Sequence, residues 1–247
     1  GDAIERVMAG PEKKDRVISD KKKELVAYHE AGHALVGALM PDYDPVAKVS
    51  IIPRGQAGGF TRWQQEDKTY ATQEQLESQI AAAMGGRVAE VLKIGDVTTG
   101  ASNDFEQATN IAREMVMRLG MSDKLSNRSF GKRQGGAVFL GKEMSEERDY
   151  SLKTEEIIDS EINRILKDAE KNAKNILTKY DKELEKIANF LLKYETIESD
   201  QFLAILEGKN PLQKKRVKKE SQSNSDDNEK KNINKQEDLP GAEPQTM

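Results

Sequence analysis

Only two histidines occur among the 247 residues, and they stand four positions apart in the run His29-Glu30-Ala31-Gly32-His33. On a helix, positions i and i+4 share a face, so both imidazoles can reach one metal ion. Glu30 is offset on the same side, within reach of a water molecule that the metal activates. The spacing is the H-E-x-x-H of zinc peptidases, and the chemistry it supports is hydrolysis of an internal peptide bond with the glutamate as general base. A pair of histidines meeting by accident of helical spacing would leave the register of Glu30 unexplained.

A catalytic zinc commonly takes three protein ligands and keeps one position for water. The chain has no third histidine and no cysteine, so the remaining ligand must be a carboxylate. The extended metzincin pattern is excluded, because it asks for a glycine and then a histidine where Val36 and Leu39 stand. A Ser-His-Asp triad would leave the second histidine and Glu30 without a role. Asp104 is one candidate: it falls in the first turn of a helix that follows the polar run Val97-Thr98-Thr99-Gly100-Ala101-Ser102-Asn103. A ligand there would be carried by a rigid helix other than the motif helix. An acid at that place also serves simply to complement the helix dipole. Local chemistry leaves Glu90, Asp96, Glu106 and Glu114 open beside it, since ligand spacing beyond the motif varies.

The elements that must position these groups are mainly helical. The motif helix has an N-cap signal at Ser19-Asp20, apolar residues Leu25, Val26, Val36, Leu39 and Met40 at three-to-four spacing, and a stop at Pro41. Thr72-Gln73-Glu74-Gln75 reads as a capping box opening a second helix, whose Gly85-Gly86 implies close approach of another backbone, with the motif helix a candidate. A third helix carries Phe105, Ala108, Ile111, Ala112, Met115, Val116 and Leu119 and closes at Gly120. The apolar pattern between Lys153 and Lys193 indicates at least two more, and a short last helix runs from Ser199-Asp200 to Gly208. One region is β-rich: Val46 to Ile52, then Pro53, a glycine-rich turn and Phe60-Thr61-Arg62-Trp63. A strand edge there could pair with an extended peptide and recognise its backbone, or the hairpin could merely cap the helical core; sequence does not show which edge is free. The fold class expected is mainly α, a helical zinc-metalloprotease domain with a small β-hairpin or edge strand near the active site.

Six ordered blocks resemble one family. They are Asp2 to Lys14, Ala27 to Ala34, Ile51 to Gly59, Gly85 to Glu90, Val97 to Asp104, and Gly120-Met121-Ser122-Asp123. Together they look like the protease domain of the FtsH-type, membrane-anchored, ATP-dependent zinc metalloproteases, with the likeness running to about Glu207. The resemblance implies that Asp104 is the third zinc ligand beside His29 and His33, with Glu30 as the base and Glu90 as a carboxylate that orients a ligand. It implies one Zn2+ per chain, with ATP used only through an ATPase module that these residues lack. It further implies a homohexamer, unfolded or ATPase-delivered protein substrates, a role in protein quality control, and a parent protein in the cell membrane with this domain on the cytoplasmic side. The family often has an aromatic where Ile94 precedes Gly95, a change expected to alter packing rather than catalysis. A catalytically silent, zinc-stabilised helical oligomerisation domain is the alternative reading, and a metal-free helical module is a further one.

Composition adds limits. A net charge of −4 favours neither nucleic-acid binding nor a basic membrane-surface domain. No G-x-x-x-x-G-K-[ST] run and no long apolar span are present, so the chain is expected to be a fragment. Residues 1–14 are expected to be the end of the ATPase module or its linker, 15–207 the metalloprotease domain, and 208–247 a disordered polar tail with a basic block at Lys214 to Lys219.

Overall fold

A computed structural model describes residues 19–55, 57–64, 70–131 and 149–212. The expected linker at 1–14, and all but the first few residues of the expected tail, lie outside them.

The motif helix α1 spans Asp20–Leu39 and ends just before Pro41, with the Met40 N–H bonded to the Val36 carbonyl. Ser19 takes the N-cap position with an extended backbone, but its side chain makes no capping bond. Helix α2 (Gln73–Lys93) opens with the expected box: the Gln75 N–H donates to Thr72 Oγ1 at 3.2 Å and the Thr72 N–H to Gln75 Oε1 at 3.0 Å. The two helices meet backbone to backbone at Gly32 and Gly85. A Cβ on Gly85 would lie 2.6 Å from the Gly32 carbonyl oxygen, and one on Gly32 would overlap the Gly85 carbonyl. The glycine pair inside α2 is therefore where the motif helix crosses it, as its cost in a helix interior implied.

A 3-10 turn (Thr99–Ala101) leads into α3 (Ser102–Met117), so Asp104 does fall in a first helical turn. Helices α4 (Leu152–Lys179) and α5 (Asp181–Tyr194) join at Tyr180. Helix α6 (Ser199–Leu206) is followed by Gly208 at φ +69°, a left-handed position suited to glycine. The core is continuous and lies between these helices, with Leu35, Ile80, Met115, Leu177, Leu184, Ile187 and Leu191 fully buried.

Three short antiparallel strands lie in the order β2-β1-β3, with β1 Val46–Ser50, β2 Phe60–Trp63 and β3 Thr196–Glu198. Val49 pairs with Thr61 on one side and with Ile197 on the other. Sequence left open which edge is free: β1 is central, and among the described residues the outer edge of β2, whose Thr61 contacts Glu30, pairs with no further strand. The three-residue β3, between two helices, is too short to show an alternating pattern. Among the described residues no helix is long and apolar enough to cross a membrane.

Candidate metal centre

Helix α1 presents His29 and His33 on one face, with Nε2 to Nε2 3.0 Å and the rings edge to face. Asp104 reaches in from the start of α3, its Oδ2 3.3 Å from His29 Nε2 and 3.5 Å from His33 Nε2. Among the described residues these three side chains are the group able to hold a metal ion. The separations fit one ion: two ligands each about 2.0–2.1 Å from a tetrahedral zinc are about 3.3–3.4 Å apart. A nitrogen-and-carboxylate donor set of this kind also suits zinc.

The far nitrogen of each ring is occupied. His29 Nδ1 donates to Glu90 Oε1 at 2.7 Å, and His33 Nδ1 donates to the Ala82 carbonyl at 2.8 Å. A carbonyl can only accept, so Ala82 fixes the tautomer that leaves the His33 Nε2 lone pair facing Asp104. Space for both rings comes from α2. A Cβ on Gly86 would lie 2.5 Å from His33 Nε2 and 2.7 Å from His29 Cε1.

The pocket favours positive charge. Burial opposes a charged His29, but Asp104 and Glu90 outweigh it and push its pKa up to about 10. Burial would raise the Asp104 carboxyl; the two imidazoles reverse this and hold it well below the usual range. Glu90 is fully buried, and burial would raise it too, yet His29 and Thr98 bring it down. Thr98 supports Glu90 through its N–H, 3.1 Å from Oε2, and through its hydroxyl, 3.2 Å from both oxygens.

Glu30, buried, points to β2, where Thr61 Oγ1 donates to its Oε2 at 2.9 Å. Burial pushes the Glu30 carboxyl above its ordinary value, against the opposing pull of His33, His29 and Thr61. Gly59 makes room, since a Cβ there would lie 2.9 Å from Glu30 Oε1 and 2.7 Å from the Ser50 carbonyl oxygen.

The structure thus brings His29, His33, Asp104 and Glu30 together and sets Glu90 behind His29. The other acids stand apart: Glu106 and Glu114 are exposed on α3, and exposed Asp96 accepts the Val97 N–H at 2.7 Å. Ile94 lies at the surface where α2 ends, away from the buried helix crossing. Sequence reasoning missed Thr61, the Ala82 carbonyl and the support that Thr98 gives Glu90. Thr98 carried a signal as an N-cap type before a helical turn, whereas nothing local marked Thr61 or Ala82.

A sequence model of peptidase family M41 matches residues 16–205. The chain is 50% identical over 215 residues to the ATP-dependent zinc metalloprotease FtsH 3 of Synechocystis sp., a match covering 85% of this chain and 35% of that protein. It is 50% identical over 210 residues to the chloroplastic ATP-dependent zinc metalloprotease FTSH 1 of Arabidopsis thaliana, covering 83% and 29%. Against the ATP-dependent zinc metalloprotease FtsH of a Synechococcus strain the identity is 48% over 210 residues, covering 83% and 33%. The chain spans about a third of the length of these curated relatives.

Proposed function

The chain belongs to peptidase family M41, and on that premise we propose that it is the zinc-dependent endopeptidase domain of a larger ATP-dependent protease. The observation that carries this reading is the convergence of His29 Nε2, His33 Nε2 and Asp104 Oδ2 within 3.0–3.5 Å of one another. When bound there, zinc would supply a Lewis acid that polarises a peptide carbonyl and acidifies water. Glu30 accepts the proton of the attacking water and delivers it to the leaving nitrogen as the C–N bond breaks. Thr61 holds one Glu30 oxygen, which fixes the direction of the other. Glu90 and the Ala82 carbonyl orient the two rings before any ligand arrives.

The outer edge of β2, which pairs with no further strand among the described residues and whose Thr61 touches Glu30, offers main-chain groups to an extended polypeptide. Substrates are therefore unfolded segments or peptides. The relatives' names support an ATP-dependent module in the parent protein that delivers such segments; the sequence resemblance alone supports a homohexameric ring and a membrane anchor that places this domain on the cytoplasmic side.

Cleavage of an unfolded fluorogenic polypeptide by the zinc-loaded chain and by Glu30→Gln, with zinc measured in both, tests the assignment. Activity lost in the variant at equal zinc is the expected result. Equal activity in both would overturn the role of Glu30, and equal rates on folded and unfolded forms of one protein would overturn the substrate class.

A further inference from the structure

Among the described residues, the face of the sheet turned away from Glu30 carries an unbalanced charge at the β2 edge, which pairs with no further strand. Along β2, Thr61 reaches Glu30 and Trp63 lies against Gly37 and Tyr43, so both face α1. Strand side chains alternate, so Arg62 lies on the opposite face. There it forms a row with its cross-strand neighbours, Lys48 of β1 and then Glu198 of β3. Lys48 Nζ lies 3.4 Å from Glu198 Oε1, so the one acid of the row is engaged by the inner cation. Arg62 is left directly opposite a like charge, an arrangement that costs stability in a sheet. Its half-buried side chain has an Nε removed from water without a hydrogen-bond partner, and among the described residues it forms no ion pair. Among the described residues, the position beyond Arg62 in the row is left for a strand that would pair with β2.

We propose that Arg62 is a specificity-determining residue: it favours an acidic side chain on the substrate residue that pairs opposite it. The inference rests on the reading of β2 as the substrate-binding edge and goes beyond recognition of the backbone alone. A peptide laid along that edge presents alternate side chains to the metal side and to the outer face. The outer one opposite Arg62 lies about 5 Å away between Cβ atoms, within reach of a charged pair. A carboxylate there would meet the guanidinium, complete the row and offset the repulsion from Lys48. A cation at the same position would meet both positive charges.

The test is binding of fluorescein-labelled unstructured peptides to the zinc-loaded Glu30→Gln chain, which holds substrate without cutting it. One acidic residue is walked through an otherwise neutral peptide, with Gln and Lys at the same positions for comparison. At one position the expected order of affinity is Glu, then Gln, then Lys, with about two- to five-fold between Glu and Gln. Arg62→Gln should remove the preference and Arg62→Glu should invert it, with zinc content and helicity unchanged. A charge preference that survives Arg62→Gln, or none at any position, overturns the proposal. Peptides with N-methylated amides separate this from failure of its premise. Affinity unaffected by methylation at every position, or no binding of any peptide, would remove β2 as the substrate edge and the proposal with it. Methylation that weakens binding while charge has no effect defeats the role of Arg62 alone.

Discussion

Glu90 Oε1 accepts the Nδ1 proton of His29 at 2.7 Å from a side chain with no exposed surface. A buried carboxylate is costly unless it is hydrogen-bonded, and this one is satisfied by His29 on one side and Thr98 on the other. The pair ties α2 to the motif helix and ties both to the turn that precedes Asp104. The His29 ring, its supporting acid and the approach to Asp104 thus form one hydrogen-bonded unit.

Replacing Glu90 with Gln keeps the shape but removes the negative charge that His29 Nδ1 meets, and with it the support expected for His29 as a zinc ligand. Zinc affinity, measured by competition with a coloured chelator, should fall about 10- to 100-fold. Unchanged affinity would show that His29 needs no charged support.

Neighbouring glycines of α2 should fail differently. In Gly86→Ala the new methyl would lie 2.5 Å from His33 Nε2, so bound zinc should drop well below one per chain while helicity persists. In Gly85→Ala it would meet the Gly32 carbonyl instead, and the helices must part at a cost of about 1–3 kcal/mol. Zinc titration beside urea unfolding distinguishes the two, and identical behaviour would contradict this division of roles.

Thr61→Val removes the one side-chain hydroxyl seen to hold Glu30. A hydrogen bond to a charged group contributes about 1.5–3 kcal/mol, so turnover should fall about ten-fold or more at equal zinc content. The KM for an unfolded peptide should change little, because the β2 main chain is untouched. A loss confined to KM would place Thr61 in substrate binding instead.

A buried structural carboxylate and its partners give the pH dependence. Glu161 on α4, almost fully buried, accepts from Ser122 Oγ at 2.9 Å and lies 2.8 Å from Lys124 Nζ and 3.2 Å from an Arg164 nitrogen. Burial would raise its carboxyl, but Lys124, Arg164 and Ser122 lower it from 4.5 to about 2. A depressed pKa means the ionised form stabilises the fold fully above 4.5, and that contribution is lost as pH falls through about 2. Glu161→Gln should therefore be less stable than the parent near neutrality, by about 1–2 kcal/mol once the exposure of both cations is discounted. Urea unfolding at several pH values should show the gap closing below pH 4.5. A constant gap would exclude the ionised carboxylate as its source.

What the sequence determined is what neighbours along the chain can enforce. The i, i+4 spacing of His29 and His33, the Thr72-Gln75 box, the Ser199 to Gly208 helix and the Phe60–Trp63 strand are local patterns, and each became the element it implied. The resemblance singled out Asp104, which local chemistry had left among five carboxylates. Only the tertiary structure decided which groups turn the rings, hold Glu30 and close the sheet. His29 and Glu90 are 61 positions apart, His33 and Ala82 49, and Glu30 and Thr61 31. No propensity or period spans such distances. The first two are set by the crossing of α1 over α2 at Gly32 and Gly85, where the absence of side chains lets two backbones touch; the third is set by the packing of β2 against α1, for which Gly59 leaves room beside Glu30.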